Sequence, residues 1–132
     1  MRILNVTEYS IKFDNGKDIS FDHDQECCEI NYADFEQLDS LAREVDFSEP
    51  LVFESCDYGF RFGNPPINMF FVPCYSIQNG YYSNALDIWY DDKEVIHGID
   101  CLTYEWRLIK KEKTKMTNFN EKVKRGIGYI LN

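Results

Sequence analysis

Apolar and polar residues alternate over most of the chain, and the alternation is strictest near its start. In Glu8-Tyr9-Ser10-Ile11-Lys12-Phe13, the residues Tyr9, Ile11 and Phe13 share one face. The run Asp18-Ile19-Ser20-Phe21-Asp22-His23 alternates in the same way. Between the two stands Asp14-Asn15-Gly16, and Asn-Gly tolerates the positive φ angles of a tight turn. The pattern predicts an opening β-hairpin. Cys28-Glu29-Ile30-Asn31-Tyr32 predicts a third strand, with Cys28, Ile30 and Tyr32 in phase.

The period changes at Asp34. Phe35, Leu38, Leu41 and Ala42 fall on a 3.6-residue stripe, with Asp34 as N-cap and Gln37 three residues on, as in a capping box. Pro50 bars any continuation. One main helix is expected at about residues 34–45. Strand patterning resumes over 51–55, and a long aromatic run covers 67–77, separated from it by the Pro65-Pro66 loop. Asn79-Gly80 predicts a second hairpin with its return strand over 81–90. Asp91-Asp92-Lys93 predicts a third turn leading into Val95-Ile96, and 102–109 reads as a last strand. A short C-terminal helix is expected at 118–125, closed by Gly126. The sum is an α+β fold, a mainly antiparallel β-sheet with one main helix packed on it and a short C-terminal helix. Length suits one domain: a β-rich body over 1–109, with the basic segment 110–132 packed on it or on a partner.

Charge sharpens this picture. The 132 residues carry a net charge of −9, and the sign is unevenly spread. Residues 1–60 hold 15 acidic against 4 basic side chains, whereas residues 106–132 hold 8 basic against 2 acidic. A negative body repels nucleic-acid phosphates and anionic lipid and attracts basic macromolecules; plain solubility is the simpler reading of the same charge. The basic tail, Lys110, Lys111, Lys113, Lys115, Lys122, Lys124 and Arg125, is expected to neutralise the acidic half of this chain or of a neighbour. No apolar run approaches the roughly 18 residues of a membrane-spanning helix, and no signal-peptide core follows Met1. Cys27, Cys28, Cys56, Cys74 and Cys101 are odd in number and include no C-x-x-C pair, which favours free thiols in a reducing cytoplasm.

The densest motif is His23-Asp24-Gln25-Glu26-Cys27-Cys28-Glu29, followed by Tyr32. With the Asp14-Asn15-Gly16 turn and Asn79-Gly80-Tyr81-Tyr82-Ser83, it resembles an uncharacterised phage and bacterial family, a domain of unknown function with H-x-Q-x-C-C-E and N-G-Y-Y-S strings. The likeness covers about residues 8–90 and departs at Glu26, where the family pattern has Asp. It implies a phage or mobile-element setting and no established activity.

Three chemistries can be weighed on these residues. His23-x3-Cys27 and His97-x3-Cys101 together offer four zinc ligands. In an extended strand, however, each pair would lie about 13 Å apart at ~3.3 Å per residue, and adjacent Cys27 and Cys28 face opposite ways. The simpler reading packs one cysteine in the core and leaves His23 and Glu29 polar contacts at a bulge. A Cys–His nucleophile is opposed by Asp22, Asp24, Glu26 and Glu29, whose field raises a thiol pKa. Glu29 and Asp87 could serve as acid and base, yet no spacing selects them. The chain has no Walker loop, G-x-G-x-x-G, G-x-S-x-G or H-E-x-x-H. No catalysis and no cofactor are expected.

The reading that remains is a non-enzymatic acidic interaction protein of phage type, comparable with anti-CRISPR inhibitors, which is expected to occupy the basic, nucleic-acid-binding surface of a host protein. The expected contact residues are Asp22, Asp24, Glu26, Glu29, Asp34, Glu36, Asp39, Glu44 and Asp46, with Tyr81 and Tyr82, since tyrosine is enriched at interfaces. No direct contact with nucleic acid or membrane is expected. Two alternatives stand beside it: a metal-binding module on His23, Cys27, His97 and Cys101, and an assembly protein that forms a homodimer through its tail.

Overall fold

The computed structural model describes residues 1–22, 29–80 and 82–105. Its strands are β1 (Ile3–Val6), β2 (Ser10–Phe13), β3 (Asp18–Asp22), β4 (Ile30–Ala33), β5 (Val52–Cys56), β6 (Gly59–Asn64), β7 (Asn68–Gln78), β8 (Ala85–Tyr90), β9 (Lys93–Asp100) and β10 (Leu102–Glu105). One sheet runs β1-β2-β3-β8-β9, antiparallel throughout. The other runs β10-β7-β6-β5, with β4 also paired to β7, and its β10–β7 ladder is parallel. The Asn15-Gly16 turn joins β2 to β3 as expected, with Gly16 at φ 87. Asp91 and Asp92 turn the chain at φ 52 and 59, a conformation that Asp adopts more readily than most residues.

The two sheets meet face to face through their inward residues. Ile11, Phe13, Ile19, Leu86, Ile88, Ile96 and Ile99 come from one, and Phe60, Phe62, Val72 and Cys74 from the other. Phe13 stands edge-on to Phe62, Phe47 and Tyr90, with centroids 6.4, 6.0 and 6.1 Å away. Such ring pairs add specific geometry to the area they bury. At the β6–β7 turn, Gly63 has φ 140, and a Cβ there would lie 1.9 Å from the Asn68 carbonyl oxygen. Only glycine lets the two strands approach so closely.

The main helix expected at 34–45 is not formed. Two short 3-10 turns, Phe35–Gln37 and Ser40–Glu44, stand in its place, broken by extended backbone at Leu38 (ψ 133) and Asp39 (ψ 128). Local hydrogen bonding accounts for the break. The Asp39 carboxylate accepts the Leu41 N–H at 3.0 Å, capping a new turn where a helix would have continued. The Asp34 carboxylate accepts the Gln37 side-chain amide at 2.9 Å instead of a backbone N–H. Gln37 also donates to the Tyr75 hydroxyl. Phe35 and Ala42 are buried but Leu41 is 58% exposed, so the helical stripe never forms. Tertiary anchoring has overridden a modest propensity. Among the described residues the fold is therefore β-rich with short 3-10 turns, and the second helix expected at 118–125 lies outside them.

The Asn79-Gly80 hairpin is also corrected. β8 pairs with β3 and β9, not with β7, so the chain changes sheets between β7 and β8. A buried polar network directs the crossing. Asn31 donates its side-chain amide to the carbonyls of Ser83 (3.0 Å) and Ala85 (3.3 Å), and Gln78 accepts the Tyr82 N–H at 2.8 Å. β4 is phased accordingly: Asn31 and Ala33 are buried, Ile30 is exposed, and Tyr32 stacks on Tyr75. No helix among the described residues is long and apolar enough to cross a membrane.

Tyr90 ties the core to an ionic latch at the rim. Its hydroxyl donates to Glu49 Oε1 at 2.5 Å, and Lys17 Nζ reaches the same oxygen at 3.1 Å. The Tyr90 hydrogen bond, then Lys17, hold the Glu49 carboxyl below its ordinary 4.5 against the opposing effect of burial. A carboxylate whose folded pKa is depressed stabilises above the unfolded pKa, and that contribution disappears as pH falls through the lowered value. Glu49→Gln is therefore expected to cost less than about 1 kcal/mol at pH 7, because the half-exposed pair is screened. It should also flatten the fall in stability just below pH 4.5. Urea midpoints of both proteins across the acid range check this; parallel curves would show that Glu49 is energetically silent.

Candidate functional site

The pleat of β8 sends Leu86, Ile88 and Tyr90 inward and leaves Ala85, Asp87 and Trp89 on the outer face. On neighbouring β3, Ser20 lies opposite Trp89, and Asp22 lies directly opposite Asp87. Two like charges thus share one cross-strand position, an arrangement that costs stability in a sheet. Ser20, Phe21, Asp22, Trp89 and Asp92 line a shallow cavity of about 280 Å³ on this face.

β9 meets β8 with two irregularities. His97 and Gly98 together oppose Asp87, and Val95 is an extra residue between the Ile88–Ile96 and Trp89–Glu94 pairs. Gly98 takes φ 73 at the first of these bulges. In a regular strand Glu94 and His97, three apart, would point to opposite faces; the bulges bring both to the outer face beside Asp87. His97 Nδ1 lies 2.7 Å from Glu94 Oε1 and 3.1 Å from Asp87 Oδ1. The Gly98 N–H donates to that same Asp87 oxygen at 2.8 Å, which fixes the carboxylate. The His97 side chain is 83% exposed.

A second acidic group sits on the 3-10 turns. Glu36, Asp39 and Glu44 are exposed, while Asp46 is held by the Met1 ammonium at 2.7 Å. Phe21 packs on Phe35 with centroids 5.8 Å apart, while the second 3-10 turn, which carries Glu44, packs against β1.

The other expected contact residues fare differently. Glu29 is 4% exposed and Asp34 9%, so neither presents its charge at the surface. Ile30 beside Glu29 is exposed, whereas Ala33 and Phe35 on either side of Asp34 are buried, and charge alone does not reveal which acidic residue turns inward. Tyr82 is half-buried, with its N–H on Gln78. His23, Asp24, Glu26, Cys27 and Tyr81 lie outside the described residues. The expected His97–Cys101 half-site does not come together: His97 faces solvent, whereas Cys101 is buried beside Cys74. A hydrogen bond with Cys101, and then burial, push the Cys74 thiol well above its ordinary range, which suits a structural thiol and opposes a nucleophile. Glu29 precedes β4 and is buried, whereas Asp87 stands on the outer face of β8 in the other sheet.

The grouping of Asp87, Glu94 and His97 was missed by sequence patterning. The isolated Gly98 within a strand pattern was the available signal, since such a glycine marks a bulge. The chain matches no protein-family model, no curated protein and no solved structure.

Proposed function

We propose that this chain is a non-enzymatic acidic interaction protein that covers the basic, nucleic-acid-binding surface of a host protein. The observation that carries the reading is the placement of Asp22 directly across from Asp87 on an outer sheet face. Glu94 lies beside Asp87, Asp92 lines the same shallow cavity as Asp22, and Glu36, Asp39 and Glu44 form a further exposed acidic group on the 3-10 turns. Like charges held in register on a stiff backbone cost folding energy and return electrostatic attraction for a cationic partner. A groove that selects phosphates selects such a face for the same reason. The resemblance carried by His23 to Glu29 and by Asn79 to Ser83 supports a phage or mobile-element setting in a host cytoplasm. There, an inhibitor of a defence nuclease, of the anti-CRISPR kind, is the specific form proposed.

The test is capture from bacterial lysate on immobilised protein, followed by elution with excess duplex DNA. Captured proteins should be nucleic-acid binders that DNA displaces. Retention should fall at least about ten-fold between roughly 50 and 300 mM salt. The charge reversals Asp22→Lys, Glu36→Lys and Glu44→Lys combined should abolish it. A captured protein that holds through high salt and ignores the triple reversal would remove the basis of the proposal.

A further inference from the structure

The donor set on the bulged β8–β9 ladder is of mixed chemistry: one imidazole and two carboxylates from two adjacent strands. We propose that Asp87, Glu94 and His97 form a binding site for a divalent transition-metal ion, with solvent completing its shell. The site shares Asp87 and Glu94 with the proposed docking face, but its argument rests on donor geometry and not on that reading.

Geometry carries the argument. The ligand atoms of the three side chains all lie within 4.8 Å of one another. Nδ1 of His97 stands 2.7 Å from Glu94 Oε1 and 3.1 Å from Asp87 Oδ1. A cation about 2.1 Å from each donor holds its ligands about 3.0–3.4 Å apart, so only small side-chain adjustments are needed to seat one. Backbone irregularity is what makes this convergence. Without the extra residue at Val95 and the paired His97-Gly98 against Asp87, the imidazole and Glu94 would face away from each other.

The arrangement also supplies an outer shell. Asp87 Oδ1 takes the Gly98 N–H, the kind of second contact that orients a ligating carboxylate. Asp22, in register with Asp87, adds negative charge on the same face. One nitrogen and two oxygen donors suit zinc, manganese or iron(II) better than a thiolate-selective ion or a hard, high-coordination one such as calcium. An ion bound there would offset the Asp22–Asp87 repulsion and tie β8 to β9.

The probe of choice is Mn²⁺ added in small amounts to the ¹⁵N-labelled full chain, because Mn²⁺ favours nitrogen and oxygen donors over the cysteines. Amide signals of Asp87, His97 and Gly98 should broaden first, and Zn²⁺ should restore them by displacement. Zn²⁺ calorimetry should then give one saturable site that His97→Ala and Glu94→Gln each weaken by about ten-fold or more. His97 is largely exposed, so its truncation leaves the core intact. Broadening centred instead on Glu36, Asp39 and Glu44, no broadening at all, or an unchanged Zn²⁺ affinity in His97→Ala would each overturn the proposal.

Discussion

Replacing Phe62 with alanine is expected to lower the unfolding free energy by about 4 kcal/mol, the upper range for truncating a buried aromatic ring. Phe62 is fully buried at the centre of the ring cluster. It touches Phe13 across the gap between the sheets, Phe60 on its own strand, Phe70 on β7 and Phe47 beyond the second 3-10 turn. Its removal opens a cavity walled by both sheets, and the β-sheet backbones around it cannot collapse to fill the space. Exposed Phe71→Ala, one strand away, should change stability by no more than about 0.5 kcal/mol. Urea unfolding followed by circular dichroism compares the two. A Phe62→Ala loss below about 1.5 kcal/mol would mean that the sheets are held together elsewhere. The prediction bears on function too, because Phe13 passes the packing on to β2 and β3. Loosening it should blur the outer face where Asp22 meets Asp87.

Patterning identified most strands because alternation is a direct consequence of burying one face of a sheet. Ile11, Phe13, Ile19, Leu86 and Ile88 are all inward, as a period of two requires. It failed where side chains bind backbone. The 3.6-residue stripe at Phe35, Leu38, Leu41 and Ala42 is present in the sequence, yet Asp39 caps Leu41 and restarts the turn. It failed again at Asn79-Gly80. That dipeptide does turn the chain, with Gly80 at φ 86, but local propensity cannot say whether the next strand rejoins the same sheet. His97 was singled out with the wrong neighbour for a related reason. The repeated H-x3-C spacing suggested Cys101, a pairing that extended-strand geometry already opposed, whereas the irregular β8–β9 ladder sets it beside Asp87 and Glu94. Likewise Glu29 and Asp34 were assigned to the surface by charge, although burial is decided by partners that come from other strands, as Tyr75 shows through Gln37.

The crossing between the sheets depends on Asn31, and Asn31→Leu is expected to cost about 3 kcal/mol. The side chain is 3% exposed and satisfies three groups at once. Its amide donates to the Ser83 and Ala85 carbonyls, and its carbonyl oxygen accepts the Ser76 hydroxyl at 2.5 Å. Gln78 extends the network through Ser76 and Ser83, at 2.8 and 3.3 Å. Leucine keeps the branched shape at a larger volume and leaves these partners short of hydrogen bonds in a buried setting, at roughly 1 kcal/mol or more each. Asn31→Asp should be worse at neutral pH, since a carboxylate would face two carbonyl oxygens without a proton to give. Burial and those carbonyls would raise its folded pKa, so the variant should regain stability as the solution is acidified through that value. Hydrogen exchange adds a local readout: in both variants the amides of Leu86 to Ile88 should lose protection before those of β2 and β6. If Asn31→Leu unfolds within about 1 kcal/mol of the parent, the network does not direct the crossing, and the connection must be held by the packing of Leu86 and Ile88 alone.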